Sequence, residues 1–106
     1  MTQFTAYLRG NNFRPVEAKA AFNELLPGDV LSLEREASNA YDPNAIMVCG
    51  QDNMIHLGYV AKEVAIELAP LMDEGKSFVC TVESHLQNSV VLVIDELQAA
   101  VDEPAA

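Results

Sequence analysis

The chain has 106 residues, 50% hydrophobic and 21% charged, which is the size and make-up of one globular domain with one modest core. No apolar run approaches the roughly 20 residues a membrane-spanning helix needs, and the start, MTQFTAYLRG, lacks the basic and apolar segments of a secretion signal; the expectation is a cytoplasmic protein without membrane contact. A net charge of −10 excludes a broad phosphate-gripping groove, which would need an extended basic patch.

In chain order, residues 4–9 (FTAYLR) alternate weakly and are rich in aromatic and β-branched types, which predicts a first strand. Residues 16–26 (VEAKAAFNELL) predict a short helix closed by the turn Pro27-Gly28-Asp29. Residues 29–36 alternate again, with Leu31, Leu33 and Arg35 on one face and Val30, Ser32 and Glu34 on the other. Residues 38–44 form a loop and 45–49 an apolar strand. Gly50-Gln51-Asp52-Asn53 is a hairpin turn leading to a strand over 54–60.

A helix follows over 61–74, with Val64, Leu68, Leu71 and Met72 as its buried stripe and Gly75 as its left-handed end residue. Pro70 inside it removes a backbone donor and should kink or split it. Two last strands, 78–86 and 90–97, are joined by Gln87-Asn88-Ser89, and the second is apolar on both faces, as a central strand would be. The expected fold is mainly β with one or two helices, a small OB-like six-stranded β-barrel over residues 1–97, followed by a flexible tail at 98–106.

Catalytic inventory is missing. His56 and His85 have no nucleophile or carboxylate at a recognisable spacing, and there is no GxSxG, HExxH or glycine-rich phosphate loop. Cys49 and Cys80 lie 31 residues apart in apolar strands, which suits buried thiols and not a zinc site. The expectation is a binding module, not an enzyme, with no metal and no cofactor.

The informative stretch is residues 33–48, LEREASNAYDPNAIMV. Pro43 pushes Asp42 into an extended conformation, and Asn39, Asp42 and Asn44 can bond nearby backbone groups and brace an irregular loop. Tyr41 is thus presented beside a carboxylate. On spacing alone, two accounts stand side by side: a binding loop, or a well-made turn with one half-buried tyrosine.

Residues EREASNAYDPNAIMV followed by LGYVAKEVAIELAPLMDEG resemble the HIRAN domain, a module found at the N-terminus of helicase-like remodelling proteins and as free-standing bacterial and phage proteins. Leu8-Arg9-Gly10-Asn11-Asn12-Phe13-Arg14 resembles its opening strand and Gly-x-x-aromatic turn. The resemblance implies an OB-like barrel that captures the 3′ end of single-stranded DNA. In that picture Asp42 accepts from the terminal 3′-hydroxyl, with Tyr41 beside it and Asn39 before it. Phe13 matches the stacking aromatic and Lys62 a lysine at the helix start, and Tyr59 takes the place of what can be a histidine. Arg14, expected with Lys62 to meet nearby phosphates, stands where a second aromatic can occur, Asn12 where DNA-binding members carry a basic residue, and Asn88-Ser89-Val90 where an aromatic can occur in the last hairpin.

The partners so implied are a single-stranded DNA 3′ end and a helicase or other DNA-processing protein. The charge suggests an alternative. Residues 1–35 hold four bases and four acids, while residues 36–106 hold two bases and twelve acids. A protein-interaction module with an acidic surface would favour a basic partner. A third reading, a phage-encoded mimic of DNA, rests on charge alone.

Overall fold

The computed structural model describes residues 2–50 and 54–97. Its six strands are β1 (Gln3–Arg9), β2 (Val30–Arg35), β3 (Ile46–Gly50), β4 (Ile55–Val60), β5 (Phe78–Leu86) and β6 (Ser89–Glu96). All neighbouring pairs are antiparallel, and the order β1-β4-β3-β2-β5-β6 closes on itself as a barrel. Two helices, α1 (Val16–Asn23) and α2 (Lys62–Asp73), and a 3-10 turn over Asn11–Phe13 complete the architecture. This is the mainly β, six-stranded, OB-like barrel that the alternation predicts. The tail at 98–106 and residues 51–53 of the expected hairpin turn lie outside the described residues.

Period-two patterning sorts the side chains. Along β1, Ala6 and Leu8 are buried while Tyr7 and Arg9 face outward. In β2, Leu31 is buried and Leu33 packs against the core, whereas Val30 on the other face is 67% exposed. In β6, Val90, Leu92 and Ile94 are fully buried, and the strand is paired on both sides, with β1 and β5. Each such aliphatic side chain stabilises the fold by about 1.5–3 kcal/mol relative to exposure. Cys49 and Cys80 are buried free thiols, and burial pushes the Cys80 thiol up to about 12.

Three expectations need correction. Helix α1 ends at Asn23, not at residue 26. Leu25 instead leaves the helix to enter the core, and Leu26 precedes Pro27, which disfavours helical backbone before it. The turn then closes as expected: Asp29 N–H donates to the Leu26 carbonyl at 3.0 Å, with Gly28 at φ 97.

Pro70 does not split α2, which runs unbroken over Lys62–Asp73. It lies in the last turn, where a single main-chain donor is lost and little helix follows. The helix stops one turn on in a Schellman arrangement: Gly75 (φ 98) donates to Met72 O at 3.0 Å and Lys76 to Leu71 O at 3.2 Å.

The buried stripe of α2 is wider than predicted: Val64, Leu68 and Met72 belong to it as expected, and two alanines join them. Ala65, Leu68 and Ala69 are its fully buried residues, with Val64 and Met72 packed against the core and Leu71 at the margin. The two alanines let the helix backbone sit close on the barrel, a role that hydrophobicity alone undervalues.

One join positions everything that follows. β1 meets β4 through Leu8 opposite Val60 and Arg9 opposite Tyr59. At Gly58 a Cβ would sit 2.3 Å from the Arg9 carbonyl oxygen, so only glycine permits this approach. The Ala61 N–H then donates to the Tyr7 carbonyl at 3.0 Å, so α2 starts beside the end of β1.

Candidate nucleic-acid interface

Around that join lies an open groove of about 740 Å³. The end of β1 contributes Arg9, followed by Gly10 and Phe13, and the end of β4 contributes Tyr59 and Val60. Lys62 and Glu63 come from the first turn of α2, and Asn39, Tyr41, Asp42 and Ala45 from the loop between β2 and β3. Phe13 is 90% exposed and Tyr41 94% exposed. Tyr41 is therefore not the half-buried tyrosine of a plain turn, since nothing in the fold covers its ring.

The loop is held rigidly from within. Asn39 Oδ1 accepts from the backbone N–H of Tyr41 at 2.8 Å and of Asp42 at 3.0 Å. Asp42 Oδ1 accepts from the Asn44 N–H at 2.9 Å. These are the Asx bonds that the Asn-Asp-Asn spacing predicts. Among the described residues no hydrogen bond reaches the other Asp42 oxygen, Oδ2, so the carboxylate of this groove-lining residue retains acceptor capacity.

Two charged residues brace the loop from below. Arg35 donates to the Ala45 and Pro43 carbonyls at 2.8 and 3.0 Å, and its guanidinium also makes a two-pronged bond to Asp73 of α2 at 2.9 and 3.1 Å. That geometry fixes the far leg of the loop to the helix. Glu36 Oε1 accepts from Asn39 Nδ2 at 2.8 Å and from the Tyr59 hydroxyl at 2.7 Å. The side chain of Asn39 is thereby committed at both ends, amide nitrogen to Glu36 and amide oxygen to the loop backbone.

The titration behaviour follows from these contacts. Bonds from Asn39 and Tyr59 hold the Glu36 carboxyl below its usual range. Burial, and then the bond to Glu36, push the Tyr59 phenol up. Burial, reinforced by the Arg14 charge, pushes His56 down. His56 Nε2 donates to the Gly58 carbonyl at 2.9 Å, and its ring meets Tyr59 edge-on at 4.9 Å between centroids. It is a half-buried strand residue that supports Tyr59.

Of the seven residues singled out from the sequence, six line the groove: Phe13, Asn39, Tyr41, Asp42, Tyr59 and Lys62. Arg14 does not. Its Nε donates to the His56 carbonyl at 3.0 Å, which ties the turn after β1 to β4. Arg9, Glu63 and Glu36 were not legible as participants. Arg9 and Glu63 enter through the β1–β4 pairing and the helix start, and Glu36 acts through Asn39 and Tyr59 beneath the loop. Among the described residues no group of three or more His, Cys, Asp or Glu side chains could hold a metal ion, and no helix is long and apolar enough to cross a membrane.

No curated protein sequence matches the chain. Among solved structures, it is similar to a protein from Lactobacillus plantarum, with 26% identity and a TM-score of 0.77 over 90% of this chain and 97% of that one. It is also similar in fold to the HIRAN domain of human HLTF, with 22% identity and a TM-score of 0.70 over 89% of this chain and 74% of that one. The family model of the HIRAN domain matches residues 3–97, so the closed barrel, the braced Asn-x-Tyr-Asp loop and the groove beside it belong to a member of the HIRAN family.

Proposed function

We propose that this chain is a nucleic-acid-binding module that receives the 3′-hydroxyl end of a single DNA strand in the groove beside the β1–β4 join. Membership of the HIRAN family supports nucleic-acid binding. The observation that carries the finer reading is the meeting of two almost fully exposed aromatics, Phe13 and Tyr41, with the Asp42 carboxylate in one groove. Aromatic faces accept any base by stacking. A carboxylate accepts from a hydroxyl and repels a phosphate, so Asp42 selects an unmodified end. Asn39 acts as the bracket that keeps Tyr41 and Asp42 in place, and the Tyr59 ring forms part of the floor.

The test compares short single strands that end in 3′-hydroxyl or in 3′-phosphate, by fluorescence anisotropy. Preference for the hydroxyl end is expected; equal affinity would remove the end-reading role from Asp42. A second reading is favoured by the net charge of −10: the acidic surface recruits a basic protein, such as a segment of a helicase or another DNA-processing partner. That reading predicts binding to a basic partner and no affinity for oligonucleotides.

A further inference from the structure

The six basic side chains of the chain have very different fates. Arg35 is paired with Asp73 at 2.9 Å and Lys76 with Glu96 at 3.9 Å. Arg14 spends its Nε on the His56 carbonyl. Lys19 stands on α1, away from the groove. Only Arg9 and Lys62 line the groove, and among the described residues neither is ion-paired. They balance Asp42 and Glu63, the two acids of the lining, so the groove is neutral within a chain of net charge −10.

Arg9 is also held ready. Its Cζ stands 4.7 Å from the centroid of the Tyr7 ring, two residues back on the same outward face of β1. Its backbone is fixed by pairing with Tyr59 and by the close approach at Gly58. Lys62 follows three residues after Tyr59, at the first position of α2. Both cations are thus attached to the same β1–β4 join, which carries one wall of the groove, while Tyr41 and Asp42 come from the loop.

From this we infer that Arg9 joins Lys62, whose phosphate contact the family resemblance already implies, to complete the phosphate seat of the groove just behind the captured end, and that Arg14 has no part in it. The inference rests on the strand-end reading above and adds which charges hold the strand. Phosphate contacts position a strand without reading its sequence, and each one adds its own increment to the salt dependence of binding. Two contacts to a single strand predict a log–log slope of affinity against salt of about −1.4, from about −0.7 per contact.

The experiment measures that slope for a short 3′-hydroxyl single strand with the intact chain. Arg9→Gln and Lys62→Gln should each halve the slope, the double variant should bring it near zero, and Arg9→Lys should restore it. Lys19→Gln makes the same change in net charge away from the groove and should leave the slope at the wild-type value. If wild type binds but Arg9→Gln keeps the full slope, or if Lys19→Gln lowers it equally, the seat is refuted while end capture stands. No binding by wild type at any salt would overturn both.

Discussion

The Tyr59 hydroxyl donates to Glu36 Oε1 at 2.7 Å, and the same oxygen receives the amide of Asn39 at 2.8 Å. One carboxylate oxygen therefore couples the end of β4 to the loop that carries Tyr41 and Asp42. Tyr59→Phe removes that donor and leaves the ring. It is expected to cost about 1 kcal/mol in chemical denaturation, the scale of one hydrogen bond at a partly exposed site. A variant as stable as wild type would show that the loop does not depend on this bond.

Acid should loosen the same bracket. Glu36 lies below its ordinary value of 4.5 in the folded chain, so its contribution is present above that value and is lost as the pH falls through the folded pKa. Asp73 beside Arg35, and Glu96 bonded to Thr2, are lowered too and share this acidic step. His56, held below 6.5 by burial, has the same sign at higher pH: the folded state prefers it neutral, so stability falls as the pH drops below 6.5. Urea midpoints measured against pH should therefore fall in two stages, the upper one absent in His56→Gln and the lower one smaller in Glu36→Gln. An unaltered profile in Glu36→Gln would contradict the assigned bonds.

Gly58→Ala tests the join itself. Its Cβ would meet the Arg9 carbonyl oxygen at 2.3 Å and Leu8 Cδ1 at 3.1 Å, and the first of these is backbone that cannot swing aside. A loss of about 3 kcal/mol is expected, at the upper end of overpacking costs. Strand ends 9 and 59 should separate, which amide hydrogen exchange at residues 8–10 and 59–61 would reveal. A neutral substitution would mean that β1 and β4 move apart freely.

Much of this was open to inspection in the sequence, and the limits are physical. Period-two alternation marks strands because one face must be buried, so all six strands could be placed to within a residue or two. The Asn39-x-Tyr41-Asp42-x-Asn44 spacing foretells its own hydrogen bonds because they are local. What local pattern cannot carry is pairing over distance. Arg9 is brought opposite Tyr59 by a ladder between residues 50 apart in the chain, so nothing in LRGNNF marks it as a groove residue. Arg14 looks like a spare cation until the His56 carbonyl takes it. Ala65 and Ala69 count for little on a hydrophobicity scale, yet they form the inner line of α2.

Phe13→Ala and Tyr41→Ala should separate binding from folding. With rings 90% and 94% exposed, neither substitution removes buried surface, so thermal stability should hardly change. Affinity for a single strand should drop by about 1–3 kcal/mol for each stacked base lost, equally for 3′-hydroxyl and 3′-phosphate ends. Loss of stability without loss of affinity would make these aromatics structural.

The most direct measurement crosses Asp42→Asn with the chemistry of the strand end. Asparagine keeps an oxygen to accept the Asn44 N–H, so the turn survives, but it replaces the free carboxylate oxygen with an amide donor. On a 3′-hydroxyl strand the variant should bind more weakly by about 1.5–3 kcal/mol, the scale of a hydrogen bond to a charged group. On a 3′-phosphate strand the loss should be far smaller, because the wild-type carboxylate repels that end and gains nothing there. A variant that binds both ends as wild type does, or that weakens both by the same factor, would contradict the claim that Asp42 reads the hydroxyl.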